Sequence, residues 1–180
     1  MRVFISIELS KKIKKYLYEI QVGIHDNVEK GNFSDIENFH ITLKYIGEQT
    51  QDEVLSLKKA IKKTATKLVP FKIQTDTLGF FLRGNKKIIW MGLTEKECLL
   101  DELFMNLEEE LEKIGIKKEV RSFTPHITLL RDAILKGNFN ILQNNINSKE
   151  NINVEAISLM ESIKINGKLT YIPIYECRLI

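Results

Sequence analysis

The order of hydrophobic and polar residues predicts a strand and then a helix at the start of the chain. Residues 2–8 alternate with a period of two, which is typical of a strand buried mainly on one face. Ser10 has the side chain of a helix N-cap, and Lys11–Val22 follows with hydrophobic residues at helical spacing. The segment Gly23–Asn38 is polar and irregular, so we predict a loop there, with His25 on its surface.

Two distant parts of the chain repeat one series of predicted elements. Each series starts with a four-residue phrase, His40–Leu43 in the first half and His126–Leu129 in the second, and both read His-Ile-Thr-Leu. Each phrase is followed by a predicted helix, a strand, a tight turn containing glycine and a returning strand. A predicted strand and helix also precede each phrase. We interpret this repetition as an internal duplication.

Capping residues and turn residues set the bounds of these elements. A capping box at Thr50–Glu53 opens a helix to about Lys67, and a second one at Thr94–Glu97 opens a long helix that Gly115 ends. Another helix is predicted at Phe139–Ile146. The predicted strands are Phe71–Phe81, Lys87–Leu93, Ile152–Ile163 and Leu169–Leu179, with a hairpin turn at Asn166-Gly167.

The length and continuity of the chain favour one domain. No linker, low-complexity run or long block of like charge divides the 180 residues. We therefore predict a single domain over residues 1–180, of the α+β class, with a duplicated bilobal fold. Two antiparallel sheets backed by helices would flank a central cleft, and the two phrases would face each other across it.

The repeated phrases bring two imidazoles and two hydroxyls to this cleft. In a regular strand successive side chains point to opposite faces, so His40 and Thr42 share one face, and His126 and Thr128 do the same. The chain has only three histidines, and two of them open the phrases. A structural histidine has no reason to recur at the same point of each half, which favours a functional interpretation.

Composition and charge limit the classes of protein that remain. The hydrophobic content of 43% and the charged content of 28% are ordinary for a globular protein. No apolar run approaches the ~20 residues that span a bilayer, and the N-terminal segment lacks the features of a signal peptide. Two cysteines without metal-ligand spacing indicate a reduced, cytoplasmic protein. A net charge of +3 permits an anionic ligand, and if that ligand is RNA we expect recognition of an end.

Two interpretations of the paired histidines compete. Metal binding needs a third or fourth ligand at a recognisable spacing, and none is apparent in the sequence. Acid–base chemistry suits the residues better, because imidazoles with ordinary pKa values of about 6.5 can be neutral in one copy and protonated in the other. Hydroxyls of Thr42 and Thr128 can donate to phosphate oxygens between the rings. We therefore expect metal-free phosphodiester chemistry, with no cofactor.

The sequence resembles a known family. Two His-x-Thr-x motifs in a duplicated chain of this length are similar to the two-histidine (2H) phosphoesterase superfamily. The closer resemblance is to RNA 2′,3′-cyclic phosphodiesterases, also called 2′-5′ RNA ligases or LigT-like proteins. It extends over nearly the whole chain, through residues 2–5, Glu37–Gly47, Arg121–Arg131 and the ending with Glu161-Ser162, Gly167 and Tyr171.

The resemblance implies a reaction and a role for each site residue. The family opens a terminal 2′,3′-cyclic phosphate of RNA, such as a tRNA fragment, to a 2′-phosphate without a metal. By this resemblance His40 is the proton donor to the departing 3′ oxygen, and His126 is the proton acceptor that activates water. Thr42 and Thr128 hold the phosphate, and Arg131 adds positive charge. The reverse reaction joins RNA ends through a 2′-5′ linkage, but no nucleotide-binding loop is present to drive it with ATP, so we expect hydrolysis.

Other residues are candidates for contact with the substrate. Lys44 lies four residues after His40 and shares its face in a regular strand, whereas Arg131 lies five after His126 and reaches the phosphate only if the strand ends or bulges. Lys44 has an equally good interpretation as a solvated charge at a strand end. Phe4, Tyr45 and Tyr171 have rings that can stack on a base, although core packing is the simpler expectation for each.

Two alternative functions are also compatible with the sequence. One is a two-histidine phosphodiesterase for 2′,5′-oligoadenylate or a small nucleotide cyclic phosphate. The other is a non-catalytic protein that binds RNA ends, against which two intact histidines argue, because arginine or lysine would serve binding alone. We expect a monomer that does not associate with membranes.

Overall fold

The computed structural model describes all residues from Met1 to Ile180. Three α-helices are interspersed with nine strands, and three short 3₁₀-helices occupy connecting segments. The strands are β1 (Arg2–Glu8), β2 (Val28–Phe33), β3 (His40–Glu48), β4 (Phe71–Arg83), β5 (Lys86–Thr94), β6 (His126–Leu135), β7 (Asn151–Val154), β8 (Ala156–Ile165) and β9 (Lys168–Arg178). The α-helices are α1 (Lys11–Ile24), α2 (Gln51–Ala65) and α3 (Leu99–Glu112), and the 3₁₀-helices are His25–Asn27, Ile36–Asn38 and Phe139–Asn145.

The nine strands form two antiparallel sheets. The first sheet has the order β3-β1-β8-β9, and the second has the order β2-β6-β5-β4-β7. All pairs of neighbouring strands are antiparallel. The predicted α+β class, with two antiparallel sheets and helices, is confirmed.

Each sheet takes strands from both halves of the chain. The first phrase lies on β3 in the first sheet, but the β4–β5 hairpin that follows it lies in the second sheet. Conversely, the second phrase lies on β6 in the second sheet, and the later β8–β9 hairpin lies in the first. The two sequence repeats are therefore exchanged between the lobes, so neither half of the chain forms a lobe alone.

Helices cover the outer face of each sheet. α2 packs on β8 and β9, and α3 lies beside it behind β3. α1 crosses to the second sheet, where Gln21 Nε2 donates hydrogen bonds to the carbonyls of Ser34 and Leu129 at 2.9 and 2.7 Å. A core of 36 buried hydrophobic residues joins these layers, and Ile41, Leu43, Ile127 and Leu129 of the two phrases belong to it. Burial of these residues fixes which face of each phrase points to the cleft.

Capping determines where the helices begin. Ser10 caps α1, with its Oγ accepting from the N–H of Ile13, and the capping box between Thr50 and Glu53 is formed in both directions. The predicted start of α3 is wrong, because that helix begins at Leu99 after Cys98 in a left-handed conformation. Glu95 still satisfies a free amide, since its Oε1 accepts from the N–H of Leu100 at 2.7 Å. The carboxylate thus acts on the helix from outside its first turn.

Three other predictions of local structure need correction. The polar segment predicted as a loop contains β2, which pairs with β6 and so gains order from a distant strand. The segment predicted as the strand Ile152–Ile163 is divided after Val154 into β7 and β8, which lie in different sheets. The helix predicted at Phe139–Ile146 is a 3₁₀-helix over Phe139–Asn145. The hairpin turn at Asn166-Gly167 is confirmed, with both residues at positive φ.

None of the helices combines the length and the apolar character that a membrane crossing requires.

Candidate active site

Each phrase contains a β-bulge at its fourth residue. On β3, Thr42 lies opposite Ser6 and Lys44 lies opposite Ile5, so Leu43 has no partner on β1. On β6, Thr128 lies opposite Trp90 and Leu130 lies opposite Ile89, so Leu129 is similarly unpaired on β5. Because two residues then oppose one, the alternation of side chains shifts by one residue after each bulge.

The first bulge moves Lys44 away from the cleft. The expectation that Lys44 shares the face of His40 is wrong, since the bulge places it on the core face with Ile41. Lys44 is only 6% exposed, its Nζ lies 2.8 Å from a carboxylate oxygen of Glu108, and it donates to the carbonyl of Lys117 at 2.9 Å. Glu108 in turn accepts from the N–H of Glu119 at 2.5 Å. The pair therefore ties β3 to α3 and to the segment that leads into the second phrase.

The second bulge moves Arg131 into the cleft. A regular strand would place this residue opposite to His126, whereas the bulge returns it to the same face. Arg131 is exposed and lines a cavity of about 310 Å³ together with His40, Thr128 and Tyr171. The equivalent position in the first phrase is Tyr45, whose side chain is 52% exposed. The two phrases therefore share a single guanidinium, whose charge acts on both His40 and His126. The site is asymmetric in charge, because only the second phrase supplies a cation.

Both phrase histidines are held by the backbone in the same way. The Nδ1–H of His40 donates to the carbonyl of Asn38 at 2.7 Å, and the Nδ1–H of His126 donates to the carbonyl of Thr124 at 2.7 Å. With Nδ1 protonated, Nε2 is the acceptor nitrogen in each neutral ring. Nε2 of His40 accepts from the hydroxyl of Thr42 at 2.9 Å. Each histidine therefore has one nitrogen fixed by the backbone and one available for chemistry.

Burial and charge shift both histidines toward the neutral form. Desolvation lowers the pKa of His40 to about 4, opposed by the hydrogen bond to Asn38 and reinforced by the charges of Arg131 and His126. Desolvation also lowers the pKa of His126, again with the charge of Arg131 contributing in the same direction. Both rings are neutral at neutral pH, and a bound anion would favour their protonation by opposing Arg131.

Aromatic rings surround the two imidazoles. Phe4 and Tyr171 lie 4.9 and 5.2 Å from His40 between ring centroids, and Phe4 also stacks on Tyr45 at 5.8 Å. Phe4 is only 1% exposed, so it packs against the rings of His40, Tyr45 and Tyr171 from within the core. A base cannot stack on a ring that is buried in this way, so the expected contact of Phe4 with the substrate does not fit its position. Tyr171 lines the cavity, and its contact with the substrate stays a prediction.

Two aromatic residues near His126 were missed by the sequence analysis. Phe81 lies edge-on to His126 at 5.0 Å, and Trp90 lies 5.8 Å from it. The indole of Trp90 covers Gly79 so closely that a methyl group there would overlap it. The signal available in the sequence was the alternation along predicted strands 71–81 and 87–93, but this alternation does not reveal which strand pairs with the second phrase.

The candidate site contains no cluster that could hold a metal through protein ligands. No group of three or more His, Cys, Asp or Glu side chains is arranged so that it could hold a metal ion. His40, Thr128 and Arg131 line the cavity, whereas Thr42 and His126 do not. Thr42 is bonded to Nε2 of His40, and Arg131 lies near enough to His126 for its charge to lower the pKa of that ring. Together these residues give two acid–base groups and several hydrogen-bond donors. Such a site can hold a tetrahedral anion and move a proton on each side of it.

The fold and this pair of His-x-Thr-x strands define a two-histidine phosphoesterase. The family model for LigT-like phosphoesterases matches residues 7–90 and 93–171. The chain therefore belongs to the LigT-like phosphoesterase family, and the resemblance noted from its motifs is confirmed.

Curated relatives share one name across archaea and bacteria. An RNA 2′,3′-cyclic phosphodiesterase of Methanocaldococcus jannaschii is 30% identical over 135 residues, which cover 73% of this chain and 71% of the relative. A protein of the same name from Methanothermobacter thermautotrophicus is 26% identical over 173 residues, covering 94% and 91% of the two chains. The Escherichia coli K12 protein of that name is 29% identical over 134 residues, with coverages of 73% and 72%.

Solved structures show that the fold is shared at its full length. A crystal structure of a Thermus thermophilus protein has a TM-score of 0.81 at 20% identity, covering 99% of this chain and 98% of the other. The crystal structure of E. coli LigT complexed with 3′-AMP has a TM-score of 0.77 at 24% identity, with coverages of 99% and 96%. At these identities the likeness concerns the fold.

Proposed function

We propose that this protein hydrolyses the 2′,3′-cyclic phosphate end of RNA to a 2′-phosphate, by acid–base catalysis with two histidines and without a metal ion. The observation that carries the proposal is that His40 and His126 each donate Nδ1–H to a backbone carbonyl, which leaves Nε2 as the acceptor nitrogen of both rings. In the free protein Nε2 of His40 accepts from the hydroxyl of Thr42. Membership of the family supports the reaction class, and relatives named RNA 2′,3′-cyclic phosphodiesterase support the substrate.

In the proposed reaction the cyclic phosphate lies between the two phrases. His126 Nε2 takes a proton from a water molecule, and the water oxygen forms a bond to phosphorus. The bond between phosphorus and the 3′ oxygen breaks, and protonated His40 gives the Nε2 proton to that oxygen. Thr42, Thr128 and Arg131 donate to the nonbridging oxygens, whose charge grows as the bond forms.

The asymmetry of charge supports a single substrate orientation. Arg131 has Tyr45 as its equivalent in the other phrase, so the guanidinium lies on one side of the phosphate only. The bound anion offsets the charge of Arg131 and raises the pKa of His40, which allows the ring to carry the proton that it donates. The substrate itself thereby creates the protonated acid.

The direct test is incubation of the purified protein, in excess chelator, with an RNA that ends in a 2′,3′-cyclic phosphate. Identification of the terminal group decides the reaction. A 2′-phosphate establishes the proposed reaction and regiochemistry. A 3′-phosphate would contradict the assignment of His40 as donor to the 3′ oxygen, and loss of activity in chelator with rescue by zinc would contradict metal independence.

We further propose an RNA end as the substrate, the cytoplasm as the location and a monomer as the oligomeric state. The net charge of +3 and the small cavity support recognition of an RNA end, such as that of a tRNA fragment, in preference to a long RNA footprint.

Both cysteines are free thiols, which supports a reducing cytoplasm. We propose a monomer, which light scattering at working concentration would test. A panel containing 2′,5′-oligoadenylate and small nucleotide cyclic phosphates would separate the RNA substrate from the alternative substrates of this reaction class.

A further inference from the structure

Asn38 connects the backbone that holds His40 to a distant strand. Its own carbonyl accepts the Nδ1–H of His40 at 2.7 Å. Its side-chain Nδ2 donates to the carbonyl of Leu169 at 2.8 Å, and its Oδ1 accepts from the N–H of Tyr171 at 3.3 Å. Leu169 and Tyr171 both lie on β9, more than 130 residues further along the chain. The side chain of Asn38 therefore fixes its backbone relative to the opposite edge of the first sheet.

We propose that Asn38 is a positioning residue for His40. The fixed carbonyl keeps the proton of the neutral ring on Nδ1, so that Nε2 stays available to the substrate. A carboxamide suits this place because it offers one donor and one acceptor, which pair with a carbonyl and an N–H two residues apart on β9. This role rests on the proposed function, in which His40 is the acid.

In the second phrase, the carbonyl that accepts from the histidine Nδ1–H is held in place differently. Thr124 supplies the carbonyl that holds His126, but its side chain makes no hydrogen bond to another strand. Pro125 follows it and restricts Thr124 to an extended conformation. The first phrase has Phe39 at the corresponding place, so its backbone lacks that restriction. The hydrogen bonds of Asn38 supply the constraint that proline supplies in the other lobe.

The test is the substitution Asn38→Ala, with Asn151→Ala as its control. Asn151 also receives a hydrogen bond on its side chain, from Gln74, but it lies at the start of an outer strand. Because the chain has only three histidines, ¹⁵N labelling of histidine gives a spectrum simple enough to assign. We expect the ¹⁵N chemical shifts of the His40 ring in Asn38→Ala to move toward the average of the values for the two tautomers. The ¹⁵N chemical shifts of the His126 ring should stay unchanged.

Kinetics add a second readout. We expect kcat of Asn38→Ala to fall by about 10-fold to 100-fold, with KM changed by less than about 3-fold, since the acid is misplaced while the phosphate donors remain. Asn38→Asp keeps the acceptor for Tyr171 but loses the donor to Leu169. We expect it to lose less kcat than Asn38→Ala and to raise the pH at which His40 titrates, because a carboxylate is placed near the ring.

The outcomes separate this inference from the proposed function. Unchanged ¹⁵N chemical shifts of the His40 ring together with an unchanged kcat in Asn38→Ala would overturn the positioning role of Asn38. If the unaltered protein has no activity on cyclic phosphates, the tautomer shift in Asn38→Ala still supports positioning of His40, while the proposed function fails. If Asn38→Ala does not fold, Asn38→Asp carries the test, and an unchanged His40 titration in that variant would overturn the inference.

Discussion

His40 and Tyr171 lie on opposite edge strands of one four-stranded sheet, yet their rings meet at 89° with centroids 5.2 Å apart. His40 lies opposite Glu8, at one end of β1. Tyr171 lies opposite Ser162 on β8, one residue beyond Glu161, which lies opposite Val3 near the other end of β1. A strongly twisted and coiled sheet brings such corners together on its concave face. His40 and Tyr171 both line the cavity, so β9 contributes to a site whose motifs lie on other strands.

Removal of either phrase histidine should nearly abolish turnover. We expect His40→Ala and His126→Ala each to lower kcat by about 10²–10⁴, because each loses a proton-transfer group. The double variant should be little worse than the worse single variant, since the two rings act in one step. His25→Ala is the control, because that histidine lies on the surface outside the cavity. Single-turnover kinetics measure the effect, and full activity in either single variant would end the acid–base mechanism.

The pH dependence should be bell-shaped and displaced to low pH for the free protein. His126 must be neutral and His40 protonated, and both pKa values are lowered, that of His40 to about 4. The value of kcat/KM therefore falls on the acid side as His126 gains a proton and on the basic side as His40 loses one. We expect its optimum below the ordinary histidine pKa of about 6.5. The optimum of kcat should lie at higher pH, because the bound anion raises both pKa values, and equal optima would contradict this account.

Arg131 should affect both the rate and the pH profile. We expect Arg131→Ala to lower kcat/KM by about 10²–10³, as for loss of one donor to a developing charge. Because the charge of Arg131 lowers the pKa of both histidines, its removal should also move the optimum of kcat/KM to higher pH. Arg131→Lys should keep the position of the optimum but lose the planar pair of donors. Arg178→Ala, at the end of β9 and outside the cavity, serves as the control. An unmoved optimum in Arg131→Ala would show that the guanidinium does not act on the rings.

Lys44 should contribute to stability and have no direct role in substrate binding. Lys44→Ala leaves Glu108 buried without its cation, for which we expect a loss of about 3–5 kcal/mol in the free energy of unfolding. Replacement of both residues, Lys44→Met with Glu108→Leu, should recover part of that loss, because it removes the unpaired charge but leaves the carbonyl of Lys117 and the N–H of Glu119 without these partners. The exposed pair of Lys118 and Glu112 provides the control, and Lys118→Ala should leave the free energy of unfolding nearly unchanged, because solvent screens an exposed ion pair. Urea unfolding measures these values, and a loss below about 1 kcal/mol in Lys44→Ala would contradict the structural role.

Gly79 should be intolerant of a methyl group because of Trp90. We expect Gly79→Ala to displace the indole, to cost about 1–3 kcal/mol of stability and to lower kcat through the contacts of Trp90 with His126. Trp90 is the only tryptophan in the chain, so its fluorescence reports the displacement directly. Gly137→Ala is a suitable control, since a methyl group there meets only the end of Ile141 at 3.9 Å. Unchanged fluorescence in Gly79→Ala would refute the predicted contact.

Local patterns were sufficient for most of the helices and strands. Hydrophobic period, the capping box at Thr50 and the turn at Asn166-Gly167 specify elements through interactions within a few residues. They failed at β2, whose polar residues gain a strand conformation from pairing with β6, and at Val154, where one hydrophobic run divides between two sheets. In both cases the deciding hydrogen bonds join residues that are distant in sequence.

The amino-acid pattern was enough to reveal the two phrases, the chemistry that paired histidines and threonines can perform, and the resemblance to the family. Three features depend on the folded arrangement of distant strands: Lys44 is buried against Glu108, Arg131 shares the cavity with His40, and Tyr171 comes from the opposite edge of the sheet. Strand register explains why these three features could not be read from the pattern. A bulge shifts every later side chain to the other face, and its place depends on how two distant strands pair, which the alternation within one strand does not encode.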